Sequence, residues 1–175
     1  MTCLIRPERA EDAAAIFDIT QRAFAEMAFA AGDEQELIGQ LRTAGALSLS
    51  LVAERNGKLI GQLSLSPGFA DDGSNDWFAL GPISVEPDMQ KMGIGSQLIN
   101  AAITWLNDQN AAGCVLVGNP GYYYRFGFRA YPALAPNGEP AEYYQILPLR
   151  VTEPSVVVGF HPLFHADLNP DEVSK

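Results

Sequence analysis

The stretch VEPDMQKMGIGSQLINAAITWL, Val85 to Leu106, decides how this chain is read. Its apolar residues Ile94, Leu98, Ala102, Trp105 and Leu106 recur at helical spacing, with a polar stripe of Gln97, Asn100, Thr104 and Asp108 opposite. The spacing predicts a helix from about Gly93 to Gln109, closed by Gly113. Two glycines, Gly93 and Gly95, stand at its mouth, although glycine inside a helix costs about 1 kcal/mol relative to alanine. A loop opening directly into a helix exposes unpaired N–H groups and the positive end of the helix dipole, and glycine lets an anion approach both. Spacing alone leaves two readings open: a phosphate site, or a tight turn at Gly93 with Gly95 packed against a strand. Two other glycine motifs do not fit. GIGSQL has Leu98 where a dinucleotide fingerprint needs its third glycine, and a GxxxxGK(S/T) loop is absent from the sequence.

Outward from this centre, WFALGPISV (77–85) reads as a strand broken by Gly81-Pro82, because proline cannot donate a ladder hydrogen bond. CVLVG after the helix is the short, wholly apolar kind of strand that is buried on both faces. Upstream, Leu47, Leu49, Leu51 and Ala53 alternate with polar residues, as do Leu59, Leu63 and Leu65, and Asn56-Gly57 between them predicts a hairpin. CLIR is a strand, AEDAAAIFDITQRAF a helix with Ile16, Ile19 and Ala23 on one side, and Glu34 to Thr43 a second helix. GFADDGSND reads as a polar loop, NPGYYYRFGF as a short helix or turn leading into a final hairpin, and EYYQILPL as a strand. The Pro132–Pro140 stretch is a loop and the last twenty-odd residues are weakly patterned. The element order predicts an α+β fold, a mixed sheet with helices on both faces.

Composition sets the boundaries. A chain of 175 residues, 47% apolar, fits one domain with a sizeable core. A formal charge of -10 argues against nucleic acid and favours cationic or neutral partners, while leaving room for a local anion site. Cys3 and Cys114 supply no disulfide framework, which suits a reducing compartment. MTCLIRPERAED becomes charged before any signal-like run, and no stretch approaches the roughly 20 apolar residues of a membrane span, so a cytoplasmic protein is expected. His161 and His165 lack companion ligands and have Pro162 between them, so no metal site is expected.

LGPISVEPDMQKMGIGSQLI resembles the acetyl-coenzyme A signature of the Gcn5-related N-acetyltransferase (GNAT) superfamily: Gln or Arg, two residues, Gly, any residue, then Gly or Ala. Gln90, Gly93 and Gly95 fill it. GYYYRFGFRAY resembles the family's second landmark, with Tyr123 standing four residues before the glycine of Gly127-Phe128. The pairing of LGPISVEP with YYYRFGF is similar to the YhbS-like branch of small bacterial acetyltransferases. The resemblance implies a GNAT domain over 1–150 and a C-terminal extension over 151–175 that packs on it or trails from it. Its sheet would be mostly antiparallel, with a splayed central strand pair where CVLVG parts from the strand before the helix.

The resemblance also implies an activity: direct transfer of an acetyl group from acetyl-coenzyme A, as co-substrate and without a metal, to a primary amine of a small molecule or protein. A coenzyme A-binding sensor without turnover is the alternative, and a purely structural domain the third reading. The diphosphate would lie on Met92, Gly93, Ile94, Gly95 and Ser96, with Gln90 and Lys91 on the same loop. The pantetheine arm would run along the main chain of Ile83, Ser84 and Val85, the acyl carbonyl would be polarised by an N–H near Val85, and Asn119 would contribute to cofactor binding. Tyr123 would be the acid that meets the leaving thiolate, with Tyr122 and Tyr124 as packing aromatics. Family members often carry glycine and then a basic residue between the Gln and the first Gly; here Lys91-Met92 moves the charge by one position. Phosphate contact and solvated surface both stay open for Lys91, as do nucleotide and surface roles for Arg125 and Arg129. Glu26 and Glu86 are the candidates for a base, and each reads better as an ordinary exposed carboxylate. Edge strands near EYYQILPL and the apolar VVVGF leave room for a homodimer.

Overall fold

A computed structural model describes residues 2–28 and 30–166. Asn56 and Gly57 both take positive φ, 53° and 75°, the geometry of a two-residue turn matched to strand twist. They join β2 (Leu49–Arg55) to β3 (Lys58–Pro67) in the register Ser50↔Ser64, Val52↔Gln62 and Ala53↔Gly61, with an irregularity after Ala53. β1 (Leu4–Pro7) pairs antiparallel with β2. The seven-stranded sheet runs β1-β2-β3-β5-β6-β8-β7, where β5 is Trp77–Val85, β6 Gly113–Val117, β7 Arg129–Ala130 and β8 Tyr144–Pro148. β5 and β6 are parallel, whereas β6 with β8 and β7 with β8 are antiparallel. The expected α+β class and mostly antiparallel mixed sheet are therefore present.

Backbone contacts divide the chain into two units. Of the described residues, the first holds those up to Leu65, Pro82–Ala102 and 162–166. Here α1 (Ala13–Phe24) and α2 (Glu34–Thr43) bring Ile16 and Ile38 onto Val52 of β2, so the sheet face carrying Ser50, Gln62 and Ser64 lies under helices. On the opposite face a Cβ at Gly61 would stand 3.2 Å from Leu98 and 3.3 Å from Ile94 of α3 (Ile94–Asp108). Helices thus cover both faces of this half of the sheet, as the element order implied. β2 and β3 are consequently buried almost throughout, and their polar residues alternate toward helices rather than toward water. Leu163 and Phe164, in a single tight turn at Pro162–His165, pack against Leu37, Leu41 and Ala46. The remainder of the expected C-terminal extension, 167–175, lies outside the described residues.

The second unit holds Ser66–Gly81 and Ile103–His161, around a core of Trp77, Ala79, Val115, Tyr144, Ile146 and Val158. α3 stops at Asp108, and Asn110 rather than Gly113 takes the left-handed position beyond it, at φ 54°. Gly113 belongs to β6, where a Cβ would meet the Trp77 ring at 2.5 Å and the Leu147 carbonyl at 2.6 Å. Trp105, expected in the core, is half-buried and stands edge-on to Phe78. GFADDGSND is not wholly loop: β4 (Phe69–Ala70) pairs with β9 (Val158–Gly159), a strand in the weakly patterned tail. NPGYYYRFGF forms α4 (Pro120–Tyr123) and a tight turn at Tyr124–Phe126, after which Phe128 is buried.

Candidate active site

The glycine-bearing loop begins with a tight turn at Pro87–Met89 and ends where the Gly93 carbonyl accepts the N–H of Gln97, making Gly93 the residue that opens α3. Lys91 and Gly93 both have positive φ, 63° and 85°. A Cβ built on Gly93 meets nothing within 4 Å among the described residues, so none of them fills the space beside it. Among the described residues, no acceptor bonds the main-chain amides of Gly93, Ile94, Gly95 and Ser96. Four consecutive donors at the positive end of a 15-residue helix are the components of an anion site. Ile94 buries its side chain and offers only its amide; Met92 and Lys91 are exposed. The Gln90 carboxamide donates to the Val85 carbonyl at 3.2 Å, fastening the loop back onto the end of β5.

β5 pairs with β6 at Trp77↔Gly113, Phe78↔Cys114 and Ala79↔Val115, and the register goes no further. The ladder therefore stops two residues before Gly81, whose φ is 137°, and Pro82 adds no donor. β5 itself continues as one strand to Val85, so the interruption expected at Gly81-Pro82 is confined to the pairing with β6, and Ile83, Ser84 and Val85 lie beyond that pairing. Ser84 is buried, and its hydroxyl lies 3.0 Å from the Thr20 hydroxyl and accepts from Gln62 at 2.9 Å. Gln62 also donates to the Pro82 carbonyl at 3.2 Å and accepts from Ser64 at 3.1 Å. Reasoning from sequence missed Thr20, Gln62 and Ser64; in the strand pattern Gln62 and Ser64 look like solvent-facing alternates.

Glu86, next along, is held by Arg22 through two bonds of 2.8 Å. The Arg22 guanidinium keeps its carboxyl below the ordinary glutamate range, so it is ionised and already occupied rather than poised to take a proton near neutral pH. Glu26 is exposed.

In the second unit Asn119 is exposed and uses its side-chain oxygen to cap α4, accepting from Gly121 at 2.9 Å. The Tyr123 ring is wedged edge-on to Tyr122 and Phe128, and a Cβ at Gly118 would come within 2.7 Å of it. Burial, with a smaller contribution from Tyr122, pushes its hydroxyl up to about 12. Among the described residues that hydroxyl has no hydrogen-bond partner. Its neighbours are otherwise engaged: Arg125 stacks on Tyr122 and donates to its carbonyl, while Arg129 stacks on Tyr124 and donates to the Tyr124 and Phe128 carbonyls. No cluster of metal-ligating side chains occurs among the described residues, and none of their helices is long and apolar enough to cross a membrane.

The GNAT acetyltransferase family model matches residues 6–128. The uncharacterized N-acetyltransferase YhbS of Escherichia coli K12 is 33% identical over 126 residues, 71% of this chain and 72% of that protein. A GNAT acetyltransferase from Brucella melitensis, solved in complex with acetyl-CoA, superposes with a TM-score of 0.82 at 39% identity, covering 93% of this chain and 98% of that one. The Escherichia coli YhbS structure in complex with CoA gives 0.83 at 27% identity, over 94% and 92%. The unpaired amides behind Gly93 thus occur in a fold whose relatives were solved with this ligand, and the chain belongs to the GNAT acetyltransferase family.

Proposed function

We propose that the chain, a GNAT domain over 1–150 with an extension over 151–175, is a cytoplasmic N-acetyltransferase. It carries the acetyl group of acetyl-coenzyme A directly to a primary amine of a small molecule or a protein. The observation that carries this reading is the run of unbonded amides from Gly93 to Ser96 beside open space. In this reading those amides, with Met92, receive the diphosphate, Gln90 and Lys91 shape the loop, Asn119 adds a contact, and the main chain of Ile83, Ser84 and Val85 receives the pantetheine arm. The amine nitrogen attacks the thioester carbonyl carbon, the C–S bond breaks, and Tyr123 gives its proton to the departing sulfur while the amine loses one to water. A phenol raised to about 12 stays protonated at working pH, as a donor must. One observation favours the alternative of binding without turnover: Glu86, a candidate base, is locked to Arg22. Calorimetric titration with acetyl-coenzyme A tests the site, and thiol release against a panel of amines tests turnover. Binding without thiol release would leave the sensor reading standing; absence of binding would remove both.

A further inference from the structure

Gln62, Ser64, Ser84 and Thr20 form a chain of polar side chains that are all but inaccessible, at 0%, 0%, 4% and 0% exposure. Polar groups placed under helices are unfavourable unless bonded, and apolar residues would fill a sheet face at least as well. The directions of these bonds are fixed by chemistry. The Pro82 carbonyl can only accept, so the Gln62 nitrogen must face it, and the same NH₂ group donates its second hydrogen to the Ser84 hydroxyl. With its oxygen accepting, Ser84 turns its own hydrogen to Thr20, which donates in turn to the Ile16 carbonyl at 2.7 Å. The Gln62 oxygen accepts from Ser64. Every donor in the chain has a destination, and two of the bonds end on β5 just past the end of its β6 ladder.

We propose that Gln62 is a positioning residue for cofactor binding: its carboxamide reaches from β3 to the Pro82 carbonyl and the Ser84 hydroxyl and pins β5 just past the point where its β6 ladder ends. It thereby holds the main chain of Ile83–Val85, which has no ladder to β6, in the conformation that receives the pantetheine arm. The proposal rests on the reading of that segment as the arm's site, and a comparison of two ligands separates the two claims. Acetyl-coenzyme A spans both the loop and β5, whereas its nucleotide half, 3′-phosphoadenosine 5′-diphosphate, reaches only the loop.

The experiment measures both affinities by calorimetry for wild type, Gln62→Met and Tyr144→Phe. The last removes one buried hydrogen bond, Tyr144 to the Val158 carbonyl, away from this network. Wild type is expected to bind acetyl-coenzyme A more tightly than the nucleotide half. Gln62→Met should lose at least tenfold for acetyl-coenzyme A and less than twofold for the nucleotide half, while Tyr144→Phe changes neither. Equal wild-type affinities would remove the arm site itself. A wild-type difference that survives Gln62→Met unchanged would overturn the positioning role, as would parallel losses for both ligands. If Gln62→Met fails to fold, Ser84→Ala cuts one of the two bonds onto β5 and should lose about threefold for acetyl-coenzyme A alone; no such loss overturns the proposal.

Discussion

Replacing Gly93 with Asn and with Asp isolates charge at the proposed diphosphate site. At φ 85° an ordinary L-residue is strained by roughly 1–2 kcal/mol, and Asn and Asp are the side chains that tolerate this region best, so both variants carry the same backbone penalty. Neither added Cβ meets an atom of the described residues within 4 Å. As the residue opening α3, position 93 suits both equally, because either side-chain oxygen can accept an amide of the first turn. The two therefore compete with a ligand for those amides alike and differ by one negative charge. A unit charge about 4 Å from one phosphate charge opposes it by ~1 kcal/mol in bulk water and ~4 kcal/mol at an effective dielectric of 20. For an exposed loop the lower part of that range applies, roughly 1–3 kcal/mol, or about 5- to 150-fold in Kd. Titration calorimetry with acetyl-coenzyme A should show Asp weaker than Asn by that factor, with the gap narrowing as salt shortens the Debye length. Stability should move the other way, since a carboxylate at a helix start gains roughly 0.3–1 kcal/mol from the dipole. Equal affinities for the two variants at low salt would refute the placement of the diphosphate.

Three further outcomes test other parts of the molecule. Tyr123→Phe should bind acetyl-coenzyme A as wild type does and lose about 100-fold or more in thiol release, with no limb of the wild-type pH profile below about pH 10 belonging to its hydroxyl, given a value pushed up to about 12; undiminished turnover would sink the assignment. Asp12 is buried against Arg6 at 2.7 Å and accepts the Arg9 amide at 2.7 Å, so its carboxyl is held below the usual range, chiefly by the Arg6 bond. The stability it contributes is present above the unfolded value of about 3.9 and is lost as pH falls through the lower folded value. Asp12→Asn should cost about 1–3 kcal/mol at pH 7, with Arg6 keeping Glu54, and should flatten the acid limb of denaturant titrations. Gly113→Ala drives a methyl into the Trp77 ring and the Leu147 carbonyl, so at least about 1–3 kcal/mol is expected, read as a Tm lower by about 2–4 °C per kcal/mol; an unchanged melt would contradict that packing.

The hairpin, α1, α2 and β6 were legible because each is specified locally, by Asn56-Gly57 or by uninterrupted periodicity. Gly113 was misassigned for the opposite reason. Only the ring of Trp77 and the carbonyl of Leu147, distant in sequence, explain why a Cβ is forbidden there. β4 and β9 are two residues each, too short to show a period, and their pairing joins positions almost 90 apart. The largest loss was on β2 and β3. Ser50, Gln62, Ser64 and Ser66 alternate with leucines as a water-facing edge would, yet all four are buried. Nothing in a strand's own sequence says which helices will cover its polar side.

That division between what could and could not be read has a physical origin. A ligand held by main-chain groups needs places where regular structure leaves those groups unpaired, and such places require the residues that break it. Gly81-Pro82 follows the end of the β6 ladder, and Gly93 opens a helix whose first amides have no acceptor among the described residues. Both announce themselves in sequence because glycine and proline are unfavourable elsewhere in strands and helices. The side chains that keep such a break in one shape face the reverse requirement: they must sit in unbroken elements to be rigid. Gln62 lies mid-strand and Thr20 mid-helix, in ordinary conformations that leave no mark on the pattern. Without them the part of β5 beyond its β6 ladder would be free to sample pairings that hide Ile83–Val85, so in the proposed site the rigidity of the binding segment depends on residues that carry no motif.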